Sequence, residues 1–153
     1  MPSKEWKFSP AKTDNEYFER MTRALFQAGL NWKMIDTKWP NFQKAFSNFS
    51  IKEVARFDGK YLKKLMADKG IVRNERKIKS TIYNAQQFIS LAKEYGSFRN
   101  YLDSFRRNHA ALQSDLQSRF HHLGESSSRT FLWMSGVKLT PTPEEKLWLA
   151  HHK

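Results

Sequence analysis

Cysteine is absent from the 153 residues. That excludes disulfides, thiolate metal ligands and cysteine nucleophiles. No apolar run approaches the roughly 20 residues needed to span a bilayer. The opening Met1-Pro2-Ser3-Lys4-Glu5-Trp6 lacks an apolar core of the kind a secretory signal needs, so the expectation is a soluble, cytoplasmic protein. There is no glycine-rich nucleotide loop, no internal repeat and no low-complexity segment. Acidic residues are also in short supply: 15 Asp and Glu against 27 Lys and Arg, a net charge of +12. What the chain does have is 39% hydrophobic and 14% aromatic residues, enough to exclude global disorder. The length suits one domain over residues 1–153, with 1–13 as an N-terminal extension and 138–153 as a C-terminal loop and short helix.

The charge is unevenly spread. Residues 51–80 hold ten basic and four acidic residues, so one fifth of the chain carries half the excess. Concentration of this kind points to a docking face for a polyanion, nucleic acid first and an anionic membrane surface second. A solvated, lysine-rich helical surface is the plainer alternative.

Apolar spacing is helical almost throughout, and no period-2 strand is found. Thr13 with Asp14 and Glu16 reads as a cap with acids in the first turn, and Gly29 closes that helix. Pro40 is placed at the first turn of a short helix carrying Phe42, Ala45 and Phe46. Short helices follow at Ser50 to Ala55 and from Tyr61 to a stop at Gly70. A longer helix runs from about Glu75 to before Gly96. Phe98 to Phe105 forms another short piece, then Leu112, Leu116 and Phe120. A turn from His122 to Ser126 leads to the helix of Phe131 to Met134. Thr142-Pro143-Glu144-Glu145 opens a last helix through Trp148 and Leu149. The fold class is all-α, with roughly eight helices.

Three constellations could carry chemistry. Helix, tight turn with Gly124, second helix is a helix-hairpin-helix pattern. Glycine lets a phosphate oxygen approach the backbone, a helix start offers unpaired N–H groups, and Ser126, Ser127, Ser128 and Arg129 add donors and charge. Glu125 opposes this, since a carboxylate repels phosphate, and an ordinary αα-turn is the alternative. Second, Arg73, Arg76, Lys77 and Lys79 crowd a loop-to-helix junction, where cations oppose the helix dipole and a bound anion would relieve the cost. Third, Gln27 and Trp32 flank a helix end where a purine could stack, unless Trp32 is simply core. Adjacent histidines at 121–122 and 151–152 point about 100° apart on a helix and do not chelate, so no metal is expected.

In order and spacing these residues resemble the DNA-3-methyladenine glycosylase I family, within the helix-hairpin-helix glycosylase superfamily. The resemblance runs over roughly residues 14–137, through Tyr17-Phe18-Glu19, Phe26-Gln27-Ala28-Gly29-Leu30-Asn31-Trp32, Asn41 to Phe46, Gly70 to Ile78, Asn84-Ala85, Phe120 to Gly124 and Phe131 to Gly136. It implies a glycosylase-like fold, no organic cofactor, and excision of an alkylated adenine flipped out of duplex DNA. The implied base pocket is Trp32, Gln27 and the position of Ala24. The implied DNA face is Arg73, Arg76, Lys77, Lys79, Gly124, Ser126, Ser127 and Arg129.

The departures are specific. The family's pocket carboxylate stands three residues before the motif Gln, where this chain has Ala24. Only Glu5-Trp6 is left of its N-terminal motif. Its structural zinc uses two Cys and two His. Its Trp before Ser-Phe is Asp103 here. Three carboxylates are candidate substitutes: Asp36, one helical turn beyond Trp32; Asp103; and Glu144, whose place beside Thr142-Pro143 also suits capping. The expectation is a monomeric glycosylase acting on damaged double-stranded DNA in a bacterial cytosol or nucleoid, away from membranes. The alternative is a catalytically impaired relative that binds damaged or distorted duplex. A basic RNA-binding or scaffold protein would explain the charge but not the ordered motifs.

Overall fold

The computed structural model describes residues 9–151, apart from the side chain of Leu149. Glu5, Trp6 and His152 therefore lie outside the described residues. Nine α-helices are present among these residues: α1 (Asp14–Gln27), α2 (Trp32–Ala45), α3 (Ile51–Val54), α4 (Gly59–Met66), α5 (Glu75–Tyr95), α6 (Phe98–Asp103), α7 (His109–Arg119), α8 (Glu125–Met134) and α9 (Pro143–His151). A 3-10 turn, Ser47–Phe49, joins α2 to α3. No strand occurs among the described residues.

Side-chain caps set most of the helix starts. Thr13 Oγ1 accepts from the Glu16 N–H at 3.2 Å. Asn31, Asp58, Asn74, Ser97 and Asn108 do the same for α2, α4, α5, α6 and α7. Each such bond satisfies one of the N–H groups a helix start leaves unpaired, worth about 1 kcal/mol. Gly29, at φ +74°, and Gly136, at φ +89°, take left-handed conformations just past the ends of α1 and α8, where a side chain would be strained.

Helix α1 is the spine. It packs against α8, α5 and α2. Its Phe18 meets Phe49 and Phe88 edge-on, at 5.9 and 5.6 Å between ring centres. Its Phe26 meets Phe42 at 4.8 Å. Eight phenylalanines are fully buried, and each contributes about 1.5–3 kcal/mol by leaving water.

The helix expected to start at Pro40 instead starts eight residues earlier, at Trp32. Helix α2 continues through Pro40 to Ala45. The ring removes one helical hydrogen bond, but Ile35, Trp39, Phe42 and Ala45 form one buried stripe across the proline. Glu19 of α1 ties the same helix down by accepting from Trp39 Nε1 at 2.7 Å and Gln43 Nε2 at 3.1 Å. Helix α4 ends at Met66 rather than continuing to Gly70, and Phe105 lies beyond the end of α6.

Candidate base pocket and nucleic-acid interface

The C-terminal end of α1, the start of α2 and the start of α8 converge on a pocket of about 450 Å³. Its lining is Ala24, Gln27, Ala28, Gly29, Trp32, Gly124, Glu125, Ser126, Ser127 and Thr130. All three expected pocket positions, Ala24, Gln27 and Trp32, are brought together. Ala24 is buried and small, which leaves space where a longer side chain would stand. Trp32 is half-buried, so it is not simply a core residue.

Gln27 is the unusual group. It is only 1% exposed, yet neither its Nε2 nor its Oε1 has a hydrogen-bond partner. Leaving a buried amide unpaired costs roughly 1–3 kcal/mol. An amide offers two donors and an acceptor on one planar group, which is the complement of a heteroaromatic base edge.

The hairpin beside the pocket is held from α5. The Asn84 amide accepts from the His121 N–H at 2.8 Å and donates to the His121 carbonyl at 3.1 Å. His121 stacks on Tyr83, with ring centres 3.6 Å apart. Arg76, Lys79, Tyr83, Gln117, His121 and His122 line a shallow groove on the outer side of the hairpin. Burial, and then the nearby cations Arg76, Lys77 and His121, push the His122 pKa below the ordinary histidine value, a sign of a locally positive field. Arg73 is exposed on the loop before α5. Lys79 is exposed and pairs at 3.5 Å with Glu75, one turn earlier.

Several expected site residues are committed elsewhere. Lys77 is buried, and its Nζ donates to the Ala28 carbonyl at 2.9 Å and the Phe26 carbonyl at 3.3 Å. It caps the negative end of α1 and is turned away from any phosphate. Burial lowers its pKa from the ordinary lysine value. Ser127 is buried, and its Oγ accepts from the Gly124 N–H at 2.9 Å, closing the start of α8. Gly124 itself has an extended backbone, φ −94°, so its absent side chain matters only as open space facing the pocket. Ser126 is exposed at the pocket rim. Arg129 Nη2 pairs with Glu145 Oε1 at 2.5 Å and donates to the Thr140 carbonyl at 3.1 Å. Its guanidinium anchors the C-terminal segment.

None of the three candidate carboxylates reaches the pocket. Asp36 does follow Trp32 on α2, but it is exposed and pairs with Arg23 at 2.5 Å. Asp103 is exposed on α6, 3.6 Å from Arg99, and lines a separate cleft with Tyr17 and Arg106. Glu144 is exposed on α9 and lines a larger cleft of about 790 Å³ between α8 and the C-terminal segment. There Thr142 and Glu145 exchange cap bonds, Thr142 N–H to Glu145 Oε1 at 2.9 Å and Glu145 N–H to Thr142 Oγ1 at 3.1 Å. That cleft's Arg129 and Glu145 satisfy each other, whereas the smaller pocket leaves its amide unpaired. The acidic residue that does border the Trp32 pocket is Glu125, which is exposed at the start of α8 and also borders the larger cleft. Its position suggested only repulsion of phosphate, because nothing in the spacing tells which side of α8 faces α1.

The zinc site that the family resemblance implies has no ligand set among the described residues. The chain has no Cys, and no group of three or more His, Asp or Glu gathers among the described residues. The Arg129–Glu145 pair and the Thr142 cap hold the C-terminal helix instead.

Comparison with known proteins agrees with the geometry. The chain is 26% identical over 113 residues to a DNA-3-methyladenine glycosylase of Haemophilus influenzae, covering 74% of this chain and 60% of that protein. It is 29% identical over 96 residues to DNA-3-methyladenine glycosylase 1 of Escherichia coli, covering 63% of this chain and 51% of that one. It thus spans less than two thirds of either relative. The fold is that of 3-methyladenine DNA glycosylase I from Staphylococcus aureus, with a TM-score of 0.77 at 24% identity over 90% of this chain and 85% of that one. A solution structure of a 3-methyladenine DNA glycosylase I matches with a TM-score of 0.72 at 25% identity, over 86% and 81% of the two chains. The methyladenine glycosylase model matches residues 3–131, a span that takes in α1 with its pocket glutamine, the hairpin and most of α8, and so the chain belongs to the methyladenine glycosylase family.

Proposed function

We propose that the protein excises an alkylated adenine of the 3-methyladenine type from duplex DNA, as a step of base-excision repair. The observation that carries this reading is Gln27, a fully buried amide with both polar atoms unpaired, beside Trp32 in a pocket of about 450 Å³. A flipped base would stack on the indole and take up the amide's hydrogen bonds, offsetting the few kcal/mol that unstacking costs.

The chemistry asks little of the protein. An adenine alkylated at N3 carries positive charge, so it is already a good leaving group. The bond from C1′ to the ring nitrogen breaks and its electron pair returns to the base. A water oxygen bonds to C1′ and releases its proton to solvent, leaving an abasic site and the free base. Holding the sugar and the water in line, and favouring the cationic base, supply the catalysis. The substrate partner is damaged double-stranded DNA, gripped through Arg73, Arg76 and Lys79 with the hairpin backbone near Gly124 and Ser126. The protein works as a monomer in the cytosol, free of membranes, as one domain over residues 1–153.

The test is release of 3-methyladenine from methylated duplex, scored as new abasic sites. Release well above the spontaneous rate supports the reading, and its absence overturns it. Ala24, standing where similar proteins carry a carboxylate, supports a second reading: a relative that binds damaged duplex without cleaving. Preferential binding of methylated or distorted DNA with no base release would establish that one.

A further inference from the structure

We infer that Glu125 is the specificity carboxylate of the pocket, selecting a positively charged purine over a neutral one. This rests on reading the pocket as a base pocket, and goes beyond it by naming the residue and the charge of the base.

Three observations carry the inference. First, Glu125 is the single ionisable side chain in the pocket lining. In a chain of net charge +12, the lining itself thus contributes one carboxylate and no lysine or arginine side chain, the Lys77 ammonium behind it being taken up by the Ala28 and Phe26 carbonyls. Second, that charge is uncompensated. A glutamate at the start of a helix ordinarily pairs with a cation four residues on, and Arg129 is in that position. Arg129 turns instead to Glu145 at 2.5 Å and to the Thr140 carbonyl. The carboxylate of Glu125 makes no hydrogen bond or ion pair with the described residues. Third, the partner groups suit a flat ligand: a half-buried indole at Trp32 and the unpartnered, buried Gln27 amide.

Together these exclude an anion and disfavour a neutral base. A cationic ring would be drawn both by the indole face and by the carboxylate. Ala24 leaves room on the α1 side, so the pocket's negative charge comes from α8, across the ligand, rather than from α1. The position is costly for the hairpin as a phosphate site, since Glu125 stands in the first turn of α8.

The experiment uses fixed-charge probes, so that the titration of the ligand does not enter. Calorimetric titration compares 3,9-dimethyladeninium, permanently cationic, with neutral 9-methyladenine. The wild-type protein is expected to favour the cation by about tenfold. Glu125→Gln is expected to abolish the preference while still binding the neutral purine, and Glu125→Asp to keep part of it. Trp32→Ala should weaken both probes. Equal binding of the two probes by wild type, retention of the preference in Glu125→Gln, or no binding of either would overturn the inference. Base release from methylated duplex is measured alongside. A retained cation preference with no release would overturn the glycosylase reading alone. Release by wild type that Glu125→Gln leaves unchanged would overturn the role of Glu125 alone.

Discussion

The ammonium group of Lys77 lies 2.9 Å from the carbonyl oxygen of Ala28. A cation from the most basic stretch of the chain, on α5, thereby closes the end of α1 at the wall of the proposed base pocket. The pair joins the two halves of the site. The carbonyls left open at a helix end attract a positive charge, and the same hydrogen bond fixes the segment carrying Gln27 and Ala28.

Replacing Lys77 with Met is therefore a stability change before it is a binding change. Removing two charge-assisted bonds, to Ala28 and Phe26, is expected to cost about 1–3 kcal/mol. Urea unfolding monitored by circular dichroism would read it. A variant with unchanged stability would remove Lys77 from its capping role.

Arg73 and Arg76 are exposed and are expected to behave differently. Arg73→Ala and Arg76→Ala should each leave the unfolding midpoint in place. Each should lower the slope of log affinity against log salt by about 0.9 per phosphate that is no longer neutralised. Arg129→Ala should leave that slope unchanged, because its guanidinium is occupied by Glu145. Duplex binding measured at several salt concentrations separates the three.

Gln27 should separate stability from function. Because neither polar atom of its amide is paired, Gln27→Leu removes a desolvation cost. It is expected to keep stability or raise it by up to about 1 kcal/mol, read from the melting temperature. Base release should fall at least about tenfold, one hydrogen bond to the base being worth roughly that much. A destabilised Gln27→Leu protein with intact release would contradict both expectations.

Glu145 gives a pH signature. Its burial acts to raise its pKa, but the Thr142 N–H and the Arg129 guanidinium outweigh that and hold it below the ordinary glutamate value. A carboxylate depressed in the folded state adds stability that is complete above its unfolded pKa and is lost as pH falls through the folded one. The C-terminal helix is thus expected to loosen below about pH 4, seen as a change in the near-ultraviolet circular dichroism of Trp133 and Trp148. Glu145→Gln should loosen it already at neutral pH and flatten the acid dependence.

Much of this was legible in the sequence, for local reasons. Helix starts at Thr13 and Ser50 follow because a cap acts within three residues, whereas the Asn31 cap that opens α2 was not read. The stops at Gly29 and Gly136 follow because only a residue without a side chain takes a left-handed backbone without strain. The all-α class and the α7–α8 hairpin were readable from apolar spacing and the Gly124 turn, while the meeting of Ala24, Gln27 and Trp32 was implied by the family resemblance. Pro40 shows the limit: a local rule places proline in the first turn of a helix, and a buried stripe from Ile35 to Ala45 carries the helix through it.

Charges were the least legible part. Sequence places Lys77 beside Arg76, Glu125 four residues before Arg129, and Glu144 beside Glu145, but it does not say which member of each pair turns inward. That choice depends on which groups a folded neighbour leaves unsatisfied. The end of α1 takes Lys77, the cap of α9 takes Glu145 and with it Arg129, and Glu125 is left exposed where the two clefts meet α8. The absence of cysteine was settled by sequence alone, and it determined that no thiolate metal site could staple the C-terminal segment. Only tertiary packing decided that an arginine–glutamate pair would hold it, because a long-range ion pair exists only once both helices are in place.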